Sequence, residues 1–213
     1  MSKNPKNNNV FSTLGATNHS KGERQKEDYY ATDSRAIKHL IEKEPWLMNK
    51  DLKILEPCAG EGVLSDAWNR SCGGTMDCYD IIRRREDIKV ANYFETDFSN
   101  QYDAIITNPP YLKESKAKPG LTSLIVKALK EVKDDGYVCL FLKTLHLESV
   151  GRYEKIYKDN PPTRIHIYAP RISCYKNNDT TLPQGAISYA WFVWHKKDGK
   201  FNGPTTIDWI SEL

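Results

Sequence analysis

Residues 52–64 constrain the fold more than any other segment, because they combine a buried strand, a glycine turn and the start of a helix. The apolar run ends in an acid, Glu56, and a turn of small residues that contains Gly60 and Gly62 follows it. A helical pattern begins after the turn and includes Trp68. Glycines let a ligand approach the backbone closely, so this strand–turn–helix unit predicts a nucleotide-type binding corner in an α/β protein.

The spacing of this glycine turn narrows the class of ligand. The turn lacks the Gly-Lys-Ser/Thr of a phosphate-cradling P-loop, and it lacks the Gly-x-Gly-x-x-Gly spacing of dinucleotide sites. Asp80 lies twenty residues after Gly60 and directly follows the run 75–79. An acid at the end of the second strand binds ribose hydroxyls in such sheets, and a solvated carboxylate at a strand end is the alternative.

A second motif, Asn-Pro-Pro-Tyr at 108–111, directly follows the apolar run 102–106. Asn108 offers a side-chain oxygen as a hydrogen-bond acceptor. The two prolines fix the backbone and therefore the direction of the neighbouring carbonyl groups, and Tyr111 offers an aromatic face. These groups suit an amino group on a planar ring. The alternative is a Pro-Pro turn that begins with an asparagine.

Strands and helices are predicted to alternate along the chain. The predicted strands span 52–56, 74–80, 88–94, 102–107, 136–142, 163–168 and 187–195. The predicted helices span 33–44, 62–71, 121–133 and 147–158. This alternation indicates a mostly parallel, doubly wound sheet. The last two strands have no obvious helix between them, so we expect them to form an antiparallel pair at the sheet edge.

Charge and composition divide the chain into a tail and one domain. Residues 1–26 hold five basic residues and one acid, show no apolar period, and are predicted to form a disordered basic tail. Residues 27–213 have a net charge near −1 and suffice for the core of a single α/β domain.

Several classes of protein are not expected. No apolar run approaches the roughly 20 residues of a membrane span, and the polar residues 1–9 do not look like a signal peptide. The five cysteines are odd in number and form no Cys-x-x-Cys pair. Buried thiols in a reducing compartment explain them better than disulfides or zinc, so we expect a cytoplasmic protein without a metal.

Together the two motifs resemble those of the S-adenosylmethionine-dependent methyltransferases, and specifically the N6-adenine DNA methyltransferases, over about residues 29–196. The resemblance implies a Rossmann-like class I methyltransferase fold: an α/β architecture with a seven-stranded, mostly parallel sheet, an antiparallel edge pair and helices on both faces. It implies transfer of a methyl group from S-adenosylmethionine to the N6 amino group of adenine in DNA, by direct displacement on a flipped-out base. Family members usually carry a separate target-recognition domain, so we expect a partner protein or a dimer to supply that part.

The resemblance also implies roles for particular residues. The catalytic residues would be Asn108, Pro109, Pro110 and Tyr111. The residues that bind S-adenosylmethionine would be Tyr30, Thr32, Glu56, Pro57, Cys58, Ala59, Gly60, Gly62, Asp80, Ile81, Asp97, Phe98 and Asn108. Apart from the resemblance, the loops 112–120 and 169–186 carry basic residues and an aromatic beside the site, which suit a nucleic-acid backbone and a displaced base. The residues that bind the nucleic acid would then be Tyr111, Lys113, Arg171 and Tyr175, and the alternative is that the loop lysines are solvated surface residues.

Alternatives to this reading stay open. The same tetrapeptide serves methylation of adenine or guanine in RNA and of glutamine in proteins, and a basic tail suits RNA as well as DNA. A nucleic-acid-binding module with the same fold and no activity is a third reading, against which the intact tetrapeptide argues. The cluster Arg83-Arg84-Arg85 either contacts phosphate or forms a solvated face, and His146 is placed weakly near the site.

Overall fold

The computed structural model describes residues 31–115, 117–172, 174–175 and 187–213. The predicted tail 1–26, Tyr30 and most of the loop 169–186 lie outside the described residues. The described part of the chain forms one large β-sheet, with helices on both faces, and a small two-stranded sheet.

The secondary-structure elements follow one another with short connections. The strands are β1 Ala31–Thr32, β2 Ile54–Glu56, β3 Met76–Asp80, β4 Lys89–Val90, β5 Ala104–Thr107, β6 Tyr137–Lys143, β7 Arg164–Tyr168, β8 Cys174–Tyr175, β9 Tyr189–His195 and β10 Thr206–Ile210. The helices are α1 Arg35–Lys43, α2 Val63–Cys72, α3 Leu121–Glu131 and α4 Val150–Arg152, which continues as a π-helical turn over Tyr153–Tyr157. Short 3-10 helices span Pro45–Met48 and Thr144–Leu147.

The large sheet has eight strands in the order β10-β7-β9-β6-β5-β2-β3-β4. Its strand pairs are parallel except for the two that β9 makes, with β6 and with β7. This arrangement confirms the predicted Rossmann-like, mostly parallel architecture. Because parallel strands share one carboxyl edge, the residues that follow β2, β3, β5 and β6 meet at that edge, which we call the ligand edge.

Three details of the predicted sheet are wrong. The sheet has eight strands rather than seven, because β10 pairs with β7. Ile207 and Trp209 of β10 are about half exposed, so no pattern of buried residues distinguishes this strand in the sequence. The predicted antiparallel pairing of β7 with β9 is confirmed, but β10 forms the sheet edge beside β7, and β9 lies between β6 and β7. The strand predicted at 88–94 is only Lys89–Val90.

Each face of the sheet has its own apolar cluster. Helices α1 and α2 cover one face, where Leu40 and Trp68 are fully buried. Helix α3 covers the other face, where Ile125 is fully buried. Strands β6 and β9 lie between these layers and are buried almost throughout, as expected for strands with both faces covered.

Within the described ranges, no helix combines the length and the apolar character that a membrane span requires. The same residues contain no group of three or more histidine, cysteine, aspartate or glutamate side chains that could hold a metal ion.

Candidate active site

Asn108 is the first residue after β5, and a threonine from the start of the described chain orients its side chain. The Asn108 amide nitrogen donates a hydrogen bond to Thr32 Oγ1 at 2.9 Å. Thr32 belongs to β1, which pairs with β8 so that Thr32 lies opposite Cys174. Because the nitrogen of the carboxamide points to Thr32, the oxygen Oδ1 points away from Thr32. Oδ1 is the carboxamide atom that can accept a hydrogen bond.

Tyr111 is held in place by Lys143, the last residue of the neighbouring strand β6. The Lys143 backbone N–H donates to Tyr111 Oη at 2.7 Å. The Lys143 ammonium lies 4.1 Å from the centroid of the Tyr111 ring, and the His146 ring centroid lies 5.7 Å away. A cation over an aromatic ring contributes about 0.5–2 kcal/mol, so the ring has a defined orientation before any substrate arrives.

His146 forms a neutral wall beside Tyr111. Burial, together with the positive charges of Arg152 and Lys143, lowers its pKa to about 4. The imidazole is therefore uncharged at neutral pH. Among the described residues, no partner is found for its buried Nδ1 atom.

The glycine corner begins with a buried carboxyl group. Glu56, at the end of β2, is only 2% exposed, and it accepts the backbone N–H of Ser65 in the first turn of α2. Burial raises the pKa of Glu56 to about 8, although the Ser65 hydrogen bond acts in the opposite direction. An acid group thus occupies the N-terminus of α2, which is the place where a pyrophosphate binds in dinucleotide sites.

The turn after Glu56 relies on glycine backbone geometry. Gly60 and Gly62 have φ angles of 58° and 76°, in the left-handed region that favours glycine. The Gly60 N–H donates to Asp80 Oδ2 at 2.8 Å, which joins the turn to the end of β3. The next residue, Ile81, is 63% exposed at the same edge.

The predicted cofactor loop residues Pro57, Cys58 and Ala59 connect these two ends. Pro57 and Ala59 are buried, and Cys58 is partly buried. Burial raises the pKa of the Cys58 thiol well above its usual range, so the thiol is not a nucleophile at neutral pH.

Two residues of the arginine cluster 83–85, Arg84 and Arg85, form ion pairs within the chain. Arg84 Nη1 lies 3.1 Å from Asp80 Oδ1. Arg85 pairs with Asp66 and with Asp87, each at 2.6 Å. These contacts favour a role in shaping the cofactor corner over a role as a phosphate-binding patch.

Two predicted cofactor residues, Asp97 and Phe98, lie in the segment between β4 and β5. Asp97 is exposed, and its Oδ1 accepts the backbone N–H of Ser99. Phe98 is 4% exposed and packs in the core, with its ring 5.0 Å from that of Tyr79. Asp97 lines a surface groove of about 790 Å³ between residues 94–99 and α3. Phe98 thus packs against Tyr79, the residue that precedes Asp80, and the roles of Asp97 and Phe98 in cofactor binding stay predictions.

We call residues 108–111 the catalytic corner, after their predicted role. The predicted substrate residues lie around it and differ in exposure. Lys113 and Arg171 are exposed. The backbone of Tyr175 in β8 pairs with Ala31, next to the Thr32 that contacts Asn108. The start of the loop 169–186 is therefore attached to the catalytic corner, while the side chain of Tyr175 lies outside the described part.

The residues at the ligand edge fit S-adenosylmethionine. Asp80 offers a carboxylate, 13% exposed, at the position that suits a ribose diol. Gly60 and Gly62 allow close approach to the backbone, whereas the Glu56 carboxyl already accepts a backbone N–H in the first turn of α2 that a pyrophosphate would otherwise use. A cofactor without phosphates meets both conditions.

Lys143 is the site residue that the sequence motifs did not indicate. It ends a strand that neighbours β5 in a parallel arrangement, and residues at such strand ends meet at one edge. This rule would have placed Lys143 beside the tetrapeptide if the strand order had been known.

Comparison with known families and structures agrees with this geometry. The sequence profile of the Eco57I restriction-modification methylases matches residues 32–160. No match was found among curated proteins. A candidate class I S-adenosylmethionine-dependent methyltransferase from Listeria monocytogenes superposes with a TM-score of 0.60 at 13% identity, over 90% of this chain and 69% of that one.

Two further structures share the fold. A modification subunit of a candidate type I restriction enzyme from Vibrio vulnificus has a TM-score of 0.61 at 13% identity, over 96% of this chain. The chain spans half the length of that subunit, 50%. A candidate RNA methyltransferase from Pyrococcus horikoshii has a TM-score of 0.57 at 18% identity, over 87% of this chain and 96% of that one.

Proposed function

Because this chain belongs to the Eco57I restriction-modification methylase family, we propose that it transfers a methyl group from S-adenosylmethionine to the N6 amino group of adenine in DNA. It is a methyltransferase by family and has the class I methyltransferase fold. The substrate is argued from the catalytic corner.

The observation that carries the proposal is the oriented carboxamide of Asn108. Thr32 Oγ1 accepts one N–H of the Asn108 amide at 2.9 Å, which fixes the carboxamide so that its oxygen can accept from the substrate. An exocyclic amino group on a base is a donor, and it matches this acceptor. The backbone carbonyl of Pro109 would accept the second N–H of the same amino group.

These two acceptors act on the transition state more than on the bound substrate. The amine becomes positively charged during attack, and both acceptor oxygens stabilise that charge. A single preorganised group of this kind contributes ~3–4 kcal/mol to the lowering of the barrier. S-adenosylmethionine supplies an already activated methyl group, so the protein needs no covalent intermediate.

Tyr111 would hold the adenine ring. A base inside a duplex cannot reach a corner at the end of a strand, so the adenine must flip out, at a cost of a few kcal/mol. Stacking on an aromatic side chain contributes about 1–3 kcal/mol per base and offsets part of that cost. The contacts from Lys143 fix the ring in advance, which reduces the entropy lost on stacking.

The test is a methylation assay with labelled S-adenosylmethionine and separate samples of unmethylated DNA, RNA and protein. The modified base or residue is then identified by mass spectrometry. We expect N6-methyladenine in DNA from the natural chain and no product from Asn108→Ala. Methylation of RNA or of glutamine alone would contradict the proposed substrate, and the loss of all activity in every sample would contradict the enzyme itself.

A further inference from the structure

Residues 143–157 form the most irregular described part of the ligand edge. After β6 the chain makes the 3-10 helix Thr144–Leu147, and Ser149 then adopts a φ angle of 109°. Helix α4 passes directly into the π-helical turn Tyr153–Tyr157. A non-glycine residue in this conformation stores strain, and π-helical turns are frequent at functional sites. The segment is therefore a candidate for a role in the reaction.

This segment and Leu112, the residue after Tyr111, expose a set of large apolar side chains, which we call the apolar rim. Its members, with their exposed fractions, are Leu112 at 44%, Leu145 at 62%, Leu147 at 42%, Val150 at 79% and Tyr153 at 53%. Single exposed apolar residues are ordinary, whereas a group of them beside a site marks an interaction surface.

The apolar rim is continuous with the catalytic corner. Leu112 directly follows Tyr111 in the chain. Leu145 lies between Lys143 and His146, and both of these residues contact the Tyr111 ring. The partner of the rim is thus in reach of whatever Tyr111 binds.

Hydrogen bonds and one ion pair hold the apolar rim in its position. Arg152 Nη2 donates to the backbone oxygen of Leu145 at 3.0 Å. Tyr157 Oη donates to the backbone oxygen of His146, also at 3.0 Å. Lys155 pairs with Glu114 at 2.7 Å and joins the segment to the loop that carries Leu112. These contacts fix the backbone at residues 145 and 146, so the exposed Leu145 side chain has a defined position.

The charges around the apolar rim are mostly basic. Lys113 and Lys118 lie on the loop after Tyr111, and Arg152 follows Val150. The acids Glu114 and Glu154 are neutralised by lysines at 2.7 and 3.0 Å, which leaves Glu148 as an exposed acid of the segment. Apolar side chains surrounded by cations match a nucleic acid, whose phosphates attract the cations while its base steps accept an apolar side chain.

We propose that the apolar rim contacts double-stranded DNA beside the target adenine, and that Leu145 enters the gap that the flipped base leaves in the stack. The inference rests on the proposed function. Flipping empties a space between two base pairs, and an apolar side chain that fills it stabilises the open duplex. Among the rim residues, Leu145 lies in the chain between Lys143 and His146, which both contact Tyr111. It is therefore the rim residue placed to fill that space.

The experiment first lets the full natural chain methylate a long unmethylated DNA, and the modified adenine is mapped. Duplex oligonucleotides with the mapped site are then made in two forms, with the target opposite thymine or opposite an abasic position. Single-turnover methylation is measured for the natural chain, Leu145→Ala and the control Ile207→Ala. Ile207 is similarly exposed, at 51%, on the edge strand β10 at one end of the sheet.

We expect Leu145→Ala to slow methylation of the paired duplex by about tenfold, and of the abasic duplex by no more than about twofold, because the abasic position removes the pairing that must be broken. Ile207→Ala should change neither rate. Leu145 is 62% exposed, so its truncation should leave the melting temperature unchanged.

Equal slowing on both duplexes, or none on either, would overturn the inference. Methylation of single-stranded DNA only, by the natural chain, would overturn it and leave the proposed function standing. Absence of DNA methylation would overturn both. If sedimentation shows an oligomer that Leu145→Ala dissociates, the apolar rim is an interface between copies, and the inference is again overturned.

Discussion

Thr32 is the side chain on which the direction of the Asn108 carboxamide depends. Its Oγ1 accepts a hydrogen bond from the amide nitrogen, and in the proposed mechanism the amide oxygen faces the substrate. A hydroxyl is required for this contact, and β-branched shape is not. The geometry therefore separates the role of Thr32 from that of Asn108 itself.

We predict that Thr32→Val lowers kcat by about tenfold or more with little change in the KM for DNA, because the loss falls on charge stabilisation in the transition state. Thr32→Ser keeps the hydroxyl and should retain most activity. Steady-state kinetics of both Thr32 variants check this prediction, and equal activity of Thr32→Val and Thr32→Ser would show that the Thr32 hydroxyl does not orient Asn108.

Asn108→Ala should abolish methylation and retain binding of cofactor and DNA, which the same kinetics and binding measurements check.

Tyr111 combines a ring that stacks with a hydroxyl that anchors it. We predict that Tyr111→Phe keeps substantial activity, because stacking needs only the ring, and loses about 1 kcal/mol of stability, because the Lys143 N–H loses its acceptor. Tyr111→Ala should lose roughly 1–3 kcal/mol of base binding. A mismatch opposite the target should partly rescue Tyr111→Ala and should not rescue Asn108→Ala.

Single-turnover rates on paired and mismatched duplexes distinguish these variants, and urea unfolding measures the stability term. If Tyr111→Phe and Tyr111→Ala lose activity equally, the hydroxyl has the main role and the stacking argument fails.

At the end of β2, the buried Glu56 carboxyl links stability to pH. Burial raises the pKa of Glu56 from its ordinary value of 4.5, which applies to the unfolded chain, to about 8 in the folded chain. Between these pH values, the folded state therefore holds a proton that the unfolded state has released. The free energy of unfolding should therefore fall as pH rises through this window, by up to about 1.4 kcal/mol per pH unit from this group.

We predict that Glu56→Gln, which has no proton to lose, flattens this decline. Urea unfolding of both proteins between pH 6.5 and 8 checks it, because the lowered pKa of His146 contributes its own slope mainly below that range. Parallel stability curves for the two proteins would show that Glu56 does not hold the proton.

The β3 end offers a cleaner test of the cofactor corner than the glycines do. Gly62 has a φ angle of 76°, and an added Cβ would meet the Arg85 guanidinium at 2.6 Å, so a substitution there would strain the fold as well as the site. The Asp80 carboxylate accepts the Gly60 N–H and is partly accessible, so it can be changed to an amide of the same shape.

We predict that Asp80→Asn weakens S-adenosylmethionine binding by about tenfold to a hundredfold, because hydrogen bonds to a charged acceptor contribute ~1.5–3 kcal/mol. Asp77→Asn is the matched control, since Asp77 lies on the same strand and pairs with Lys89. Calorimetric titration of both variants checks the placement, and equal affinities would place the ribose elsewhere.

For the chain as a unit, the basic segment 1–26 is predicted to assist DNA binding without supporting the core. Deleting it should leave the melting temperature nearly unchanged, because its composition offers little apolar surface to bury. The deletion should weaken DNA binding and flatten its salt dependence, because five cations are removed. Affinities measured from low to moderate salt check this, and an unchanged slope would show that the segment does not touch phosphate.

Local patterns in the sequence were enough for most of the elements. The run that ends at Glu56, the left-handed Gly60 and Gly62, and the buried strand before Asn108 all appear where the sequence predicted them. Helices α1, α2 and α3 each begin and end within two residues of their predicted bounds. These features succeed because hydrophobic period and glycine geometry are properties of neighbouring residues.

The long-range contacts required the folded chain. Thr32 and Asn108 are 76 residues apart, Lys143 and Tyr111 are 32 apart, and β10 joins the sheet through exposed residues that no local pattern distinguishes. Such contacts follow from the order in which strands pair. That order minimises the free energy of the entire core, and no single segment carries it. The tetrapeptide and the glycine turn could thus be located in the sequence, whereas the contacts that orient Asn108 and Tyr111 could not.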